Sequence, residues 1–420
     1  MAVFVFVNLP ARGHINPTLP IVSELATCGH EVHYFTAEEY RMIVEAVGAA
    51  FHPLPALQRI GSAAVSSSEP PGDKQIAVMP FVMAQQSTKV VPELVETIQA
   101  LKPDCLVYNA LSLWSRLIGQ ILGVPAVGFR PFHGPRLHRS VTAPFATDRL
   151  SGLAAAADRE LEQLARSFGR TPQTLHELIS ETEDLTLIFM PREFQAEGQS
   201  FDQRFLFVGP SLIETPPERW PFEGADDGNP LRAYVSLGTL RNNDPEFYRR
   251  CFSAFDSPEW QVVMSVGEKI DLAALTPIPG NFHVARFVKQ SALLSTVDVF
   301  VTHGGLNSTM ESLYFGVPMV VVPAIGEQRL TAGRVQELGL GVVLRQETLT
   351  AEILATTTRN VALDPDIQTR VKAMQSLTRM AGGFKRAAEA IIDFASDALH
   401  SEVSWTGSFV DRVPRRPHQG

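Results

Sequence analysis

Continuous apolar runs, each followed closely by glycine or proline and then by a helical pattern, limit most sharply what this chain can fold into. Val3–Val7 is the first such run, and Val297–Val301, apolar but for Asp298, is a later one. A strand without polar alternation is buried on both faces, the condition of a parallel sheet covered by helices. After Val3–Val7 the sequence reads as a loop with Pro10, Gly13 and Pro17. A helix from about Thr18 to Cys28, stopped by Gly29, follows, then a strand over Glu31–Thr36 and a helix over Tyr40–Val47. Gly61–Lys74, rich in Ser, Pro and Gly, reads as a mobile loop. Beyond it come a helix over Gln85–Leu101, a strand over Asp104–Tyr108 and a helix over Leu111–Leu122 closed by Gly123. Irregular chain over Arg130–Ala146 leads to an amphipathic helix over Leu153–Phe168. Strands alternating with helices imply right-handed βαβ units, so the fold class is α/β.

At 420 residues the chain is long for one core, and two domains are expected. The division falls at 214–230, where Thr215-Pro-Pro217 and Asp226-Asp-Gly-Asn-Pro230 carry linker chemistry. Residues 1–213 then form a first Rossmann-like domain and 231–383 a second, whose βαβ series runs from Ala233 to about Val343. A helix over 384–400 has no strand after it, and 401–420 reads as a disordered tail. The formal charge of −9 disfavours a nucleic-acid partner, which demands a basic face. No apolar run approaches membrane-spanning length. The first strand begins almost at Met1 without a basic leader, and Cys28, Cys105 and Cys251 have neither disulfide-framework nor zinc-ligand spacing. A cytoplasmic enzyme, monomer or homodimer, fits these bounds.

Two stretches carry chemistry. In Phe300-Val-Thr-His-Gly-Gly-Leu-Asn-Ser-Thr-Met-Glu311, a strand meets two glycines and a helix begins. Gly305 lets backbone approach a ligand, and the free N–H groups of the helix's first turn suit a diphosphate. His303, Asn307 and Ser308 add donors, and Glu311 can accept from sugar hydroxyls. Ser308 and Glu311 equally fit a capping box, which only satisfies the helix's own donors. A second buried strand follows Phe315-Gly-Val-Pro and leads to Gly326-Glu327-Gln328. Two strand ends then present polar groups on one rim of a parallel sheet, where open α/β folds bind ligands. In the other stretch, Pro10-Ala-Arg-Gly-His-Ile-Asn-Pro17, His14 follows a buried strand, and its ordinary pKa of about 6.5 suits a general base. His30, His33 and His52 have weaker placements.

These motifs, with Glu337-Leu-Gly-Leu-Gly341 and Val235-Ser-Leu-Gly-Thr239, resemble the family 1, macrolide-type UDP-sugar glycosyltransferases over nearly the whole chain. The resemblance implies the GT-B fold, two Rossmann-like parallel-sheet domains facing a central cleft, with the 384–400 helix crossing back to the first. It implies a UDP-sugar donor, a hydrophobic small-molecule acceptor, inversion at the anomeric carbon, and no metal or other cofactor. His14 matches the family's general base. At the strand end where the family places the aspartate that orients it stands Asn109, which accepts a hydrogen bond but carries no charge. Asp104 lies on the opposite face and far end of that strand and is a poor substitute. The resemblance places His303, Gly305, Asn307 and Ser308 on the diphosphate, and Glu311, Glu327 and Gln328 on the sugar; Thr239 reads either as a further hydroxyl on the phosphates or as an ordinary strand-to-helix turn. Arg286-Phe-Val-Lys-Gln290 occupies the place of Trp-x-Pro-Gln, with Phe287 and Val288 beside the base and Gln290 bonding near it. Phe81, Met83, Trp114, Phe132 and His133 read either as acceptor-pocket lining or as plain core. A sugar-nucleotide binder without catalysis is the alternative that Asn109 raises. A nicotinamide enzyme is disfavoured, since no G-x-G-x-x-G follows the first strand.

Overall fold

A computed structural model describes residues 1–54, 73–134, 148–222, 230–239, 242–324 and 326–400. The expected tail 401–420, nearly all of the Gly61–Lys74 loop, and parts of the 214–230 and 130–146 segments lie outside the described residues. Among the described residues, thirteen strands form two wholly parallel sheets. The first contains β1 (Val3–Val7), β2 (Glu31–Thr36), β3 (Ala50–Pro53), β4 (Cys105–Asn109), β5 (Ala126–Arg130), β6 (Leu185–Ile188) and β7 (Phe205–Phe207), in the order β3-β2-β1-β4-β5-β6-β7. The second contains β8 (Leu231–Ser236), β9 (Trp260–Ser265), β10 (Phe282–Ala285), β11 (Val299–Thr302), β12 (Met319–Val321) and β13 (Gly341–Val343), in the order β10-β9-β8-β11-β12-β13. Both are doubly wound, and each reverses direction once, between β1 and β4 and between β8 and β11. Ligands bind outside the carboxyl ends of strands at such reversals.

The first sheet is covered on both faces, which is why its strands are apolar throughout. Phe4, Phe6, Val107 and Phe129 pack on one side with Ile21, Val22 and Leu25 of the Leu19–Thr27 helix. Ala387, Ala388, Ile391 and Ala395 of the Gly383–His400 helix join that same cluster. Val5, Val7, Leu106 and Tyr108 face the other way, against helices Asp73–Ala100, Leu113–Leu122 and Asp148–Ser167. No helix among the described residues is long and apolar enough to cross a membrane.

Two local expectations change. The stretch holding His14 is helical, not a loop: Arg12–Ile15 is a helical turn that runs through a 3₁₀ turn, Asn16–Thr18, into the next helix. Pro17 falls within the first two positions of its turn, where a missing N–H breaks no helical bond. The helix expected over Gln85–Leu101 begins twelve residues earlier, at Asp73, and carries Pro80 and Pro92 inside it.

Candidate active site

The carboxyl end of β1 passes through Asn8 to His14, and the neighbouring β4 ends on Asn109. In the second sheet, β8 leads to Gly238 and β11 to His303. The two reversal points meet: Asn307 Nδ2 donates to the carbonyl of Gly13, 2.7 Å away, directly before His14.

A network of side-chain amides fixes His14. Asn8 is fully buried, and its Nδ2 donates to the His14 carbonyl (2.9 Å) and to the Tyr34 hydroxyl (2.8 Å). Tyr34 is bonded to Thr18 Oγ1 (2.7 Å), which donates to the Ile15 carbonyl (2.7 Å). Because a carbonyl demands the NH₂ side of Asn8, the Asn8 oxygen is turned toward Asn109. The backbone N–H of Leu111 donates to Asn109 Oδ1 (3.0 Å), so the Asn109 NH₂ must face the other way. There it meets Asn8 Oδ1 (3.5 Å) and His14 Nδ1 (2.6 Å). A ring nitrogen facing an NH₂ group has to accept, and a neutral imidazole holds one proton. The proton of His14 therefore sits on Nε2. Desolvation lowers the His14 pKa to about 4, so this neutral tautomer prevails at neutral pH. In this state His14 donates at Nε2 and cannot accept a proton there. Asp104 lies at the far end of β4, where its carboxylate accepts from Val3 N–H (2.7 Å).

Gly305 is the N-cap of the Leu306–Phe315 helix, and no side chain caps that helix. The capping-box reading of Ser308 and Glu311 is thereby set aside. Instead, Gln290 Nε2 donates to Glu311 Oε2 (2.9 Å) and to Ser308 Oγ (3.3 Å), while its Oε1 accepts from Tyr234 (3.3 Å). Desolvation raises the Glu311 pKa to about 7, against the opposing bond from Gln290. The His303 ring lies in a slot between Gly238 and Gly305, each too close to tolerate a Cβ beside it. Desolvation lowers its pKa to about 4, opposed by a hydrogen bond to the Ser236 backbone.

The remaining predicted residues divide. Thr239 is exposed in the Gly238 turn. Phe287 is 48% exposed, with the Arg12 guanidinium 5.4 Å from its ring centroid, and Val288 packs on the second core. Glu327 starts the Gly326–Glu337 helix, whereas Gln328 turns inward and its Oε1 accepts from Ala324 N–H (2.9 Å). Phe132 lies 6.3 Å from the His14 ring. His133 bonds to Thr331 Oγ1 (3.2 Å), a second link between the sheets' helices and loops. Phe81 and Trp114 are core, Trp114 only 1% exposed, and Met83 packs beside them. Asn8, Arg12 and the Gly13 carbonyl were not singled out from sequence. For Asn8 the one signal is its place just after the first buried run.

A family model described as the erythromycin biosynthesis protein CIII-like C-terminal domain matches residues 254–381. The chain is 37% identical over 396 residues to the NDP-glycosyltransferase YjiC of Bacillus subtilis (strain 168), covering 92% of this chain and 96% of that one. It is 35% identical to the protein of the same name from Bacillus licheniformis, covering 93% and 97%. Among solved structures it resembles the calicheamicin glycosyltransferase CalG4, with a TM-score of 0.81 at 28% identity over 94% of this chain and 98% of that one.

Proposed function

The chain belongs to the family 1, macrolide-type NDP-sugar glycosyltransferases of GT-B fold, and from that premise we propose that it moves a hexose, glucose first, from a UDP-sugar to an acidic hydroxyl of a hydrophobic small molecule. The observation that carries this reading is the Asn307–Gly13 bond, which sets the uncapped helix N-terminus of the donor motif against the His14 turn. A diphosphate on that N-terminus and an acceptor oxygen on His14 then lie on opposite sides of one anomeric carbon. The acceptor oxygen, its proton already released to water, attacks that carbon, the carbon's bond to the diphosphate breaks with inversion, and UDP departs with the electron pair. Ser308, His303 and the first-turn amides meet the departing charge.

His14 is the group at the acceptor oxygen, but its base strength is curtailed by Asn109. With the proton on Nε2 it holds an oxyanion by donation. Taking a proton first requires the Asn109 amide to turn and leave Leu111 N–H unpaired, a cost of about 1–3 kcal/mol. Phenols suit such a site, since they release their proton more readily than alkyl alcohols.

A pH prediction follows. His14 stays neutral above its lowered pKa of about 4, so no histidine ionisation limits the rate between pH 5 and 8. For phenolic acceptors, kcat/KM is expected to rise with pH and level off at the acceptor's own pKa, about 10 for a tyrosine-like phenol and lower for a nitrophenol. An inflection that stays in one place for both acceptors argues against this account. The broad test is a panel of phenols and alcohols against UDP-glucose, UDP-galactose, UDP-N-acetylglucosamine and TDP-glucose with mass detection. Calorimetric affinity for UDP and glycosylated phenol are the expected results. The absence of any affinity for UDP sinks the reading, whereas UDP binding without turnover favours a non-catalytic sugar-nucleotide binder.

A further inference from the structure

A buried guanidinium whose Nε has no hydrogen-bond partner among the described residues lies one strand away from Asn109, on the other face of the sheet. β5 ends at Arg130, at the same carboxyl edge where β4 ends at Asn109. Arg130 is 5% exposed, its Nε is enclosed without a partner, and it makes no ion pair among the described residues. The charges around it do not balance. Glu183 is held by Arg116 and by the Tyr108 hydroxyl (2.8 Å), and Arg116 also donates to the carbonyls of Leu178 and Glu181. Two guanidiniums share one carboxylate, and Arg130 carries the surplus. Desolvation pulls its pKa down to about 10, whereas for Arg116 desolvation is outweighed by Glu183 and Tyr108 together.

Other buried donors stand idle among the described residues, at the start of the Leu113–Leu122 helix that follows β4. Ser112, the N-cap of the helix that follows β4, makes no capping bond, and its hydroxyl, the Ser115 hydroxyl and Trp114 Nε1 are all buried without partners. Buried polar groups are nearly always satisfied, so a buried guanidinium nitrogen left without a partner calls for a bound group. The position fits the acceptor. The Arg130 guanidinium is 5.8 Å from the Phe132 ring centroid, and that ring is 6.3 Å from the ring of His14. Arg130 and His14 thus both neighbour the Phe132 ring.

We propose that Arg130 receives a carboxylate carried by the acceptor, so that the acceptor is a phenolic acid glycosylated at its hydroxyl. The planar guanidinium matches a carboxylate through two parallel N–H bonds. This inference rests on the transfer reading above, and it names the acceptor class of that same site.

The test compares 4-hydroxybenzoate with its methyl ester in the wild-type protein, Arg130→Met and Arg130→Lys. The wild type is expected to favour the acid by about 10- to 100-fold in kcat/KM, mostly through KM. Arg130→Met removes that preference, and Arg130→Lys restores part of it. Saturating acid is also expected to raise the Tm of the wild type and not that of Arg130→Met, a readout that needs no turnover. Because the Met variant removes a surplus buried charge, it is expected to fold, and circular dichroism checks this. Equal use of acid and ester by the wild type, or a preference or Tm shift that survives in folded Arg130→Met, overturns the proposal. Should no acceptor be glycosylated, the transfer reading fails by itself, and the Tm comparison still decides the role of Arg130.

Discussion

Replacing Asn109 by aspartate is expected to raise kcat for alkyl-alcohol acceptors by about 10²- to 10³-fold, and for nitrophenols by less than about tenfold. The reason lies in what a second oxygen does at this position. One carboxylate oxygen keeps the Leu111 N–H, and the other turns from NH₂ donor to acceptor against His14 Nδ1. The ring must then carry its proton on Nδ1, which frees the Nε2 lone pair for the acceptor. The new charge also raises the His14 pKa from about 4, since an adjacent carboxylate favours imidazolium. Both changes help where a proton must be removed, and neither matters much where the acceptor has already lost it. Matched steady-state rates for a phenol and a primary alcohol measure the difference. An equal gain for both acceptors would mean that Asn109 acts on something other than proton transfer.

That corner also shows what could and could not be read from sequence. The strands were legible because a parallel sheet covered on both faces leaves no polar alternation to blur them, and Asn109 was found because it closes one such run. The tautomer was not legible. It depends on Leu111 N–H and on Asn8, Tyr34 and Thr18, which meet only after four separate segments pack. In sequence the turn holding His14 looks like a loop because Pro10, Gly13 and Pro17 punctuate it, yet proline at the start of a helical turn costs no hydrogen bond. The Asp73–Ala100 helix is longer than its sequence suggests, since a Ser-, Pro- and Gly-rich stretch runs up to its start and Pro80 lies inside it. Local signals likewise offered Ser308 and Glu311 as a cap. Their actual partner is Gln290, eighteen or more residues earlier, and no local pattern reports such a contact.

The donor side offers a cleaner probe than removing a ligand-facing side chain. Gly305→Ala is expected to weaken UDP binding by about 100-fold while leaving folding stability nearly unchanged. Gly305 has φ −64° and ψ 137°, which alanine adopts without strain, so the backbone gives no objection. At such a position Gly→Ala even stabilises by about 0.4–1 kcal/mol through the unfolded chain. The added methyl, however, would overlap His303 Nε2 and force the ring out of its slot against Gly238. It also stands at the helix N-terminus proposed to hold the diphosphate through backbone contact. Loss of two charge-assisted bonds, at about 1.5–3 kcal/mol each, accounts for a shift of this size even if one is partly replaced. Gly341→Ala is the contrasting control, because its methyl would strike the Met319 carbonyl inside the sheet and cost stability instead. If the ring carries the effect, the double variant His303→Ala/Gly305→Ala binds UDP no more weakly than His303→Ala alone. Calorimetry on these four proteins settles it: wild-type affinity in Gly305→Ala, with the fold intact, would remove His303 and the helix N-terminus from the donor site.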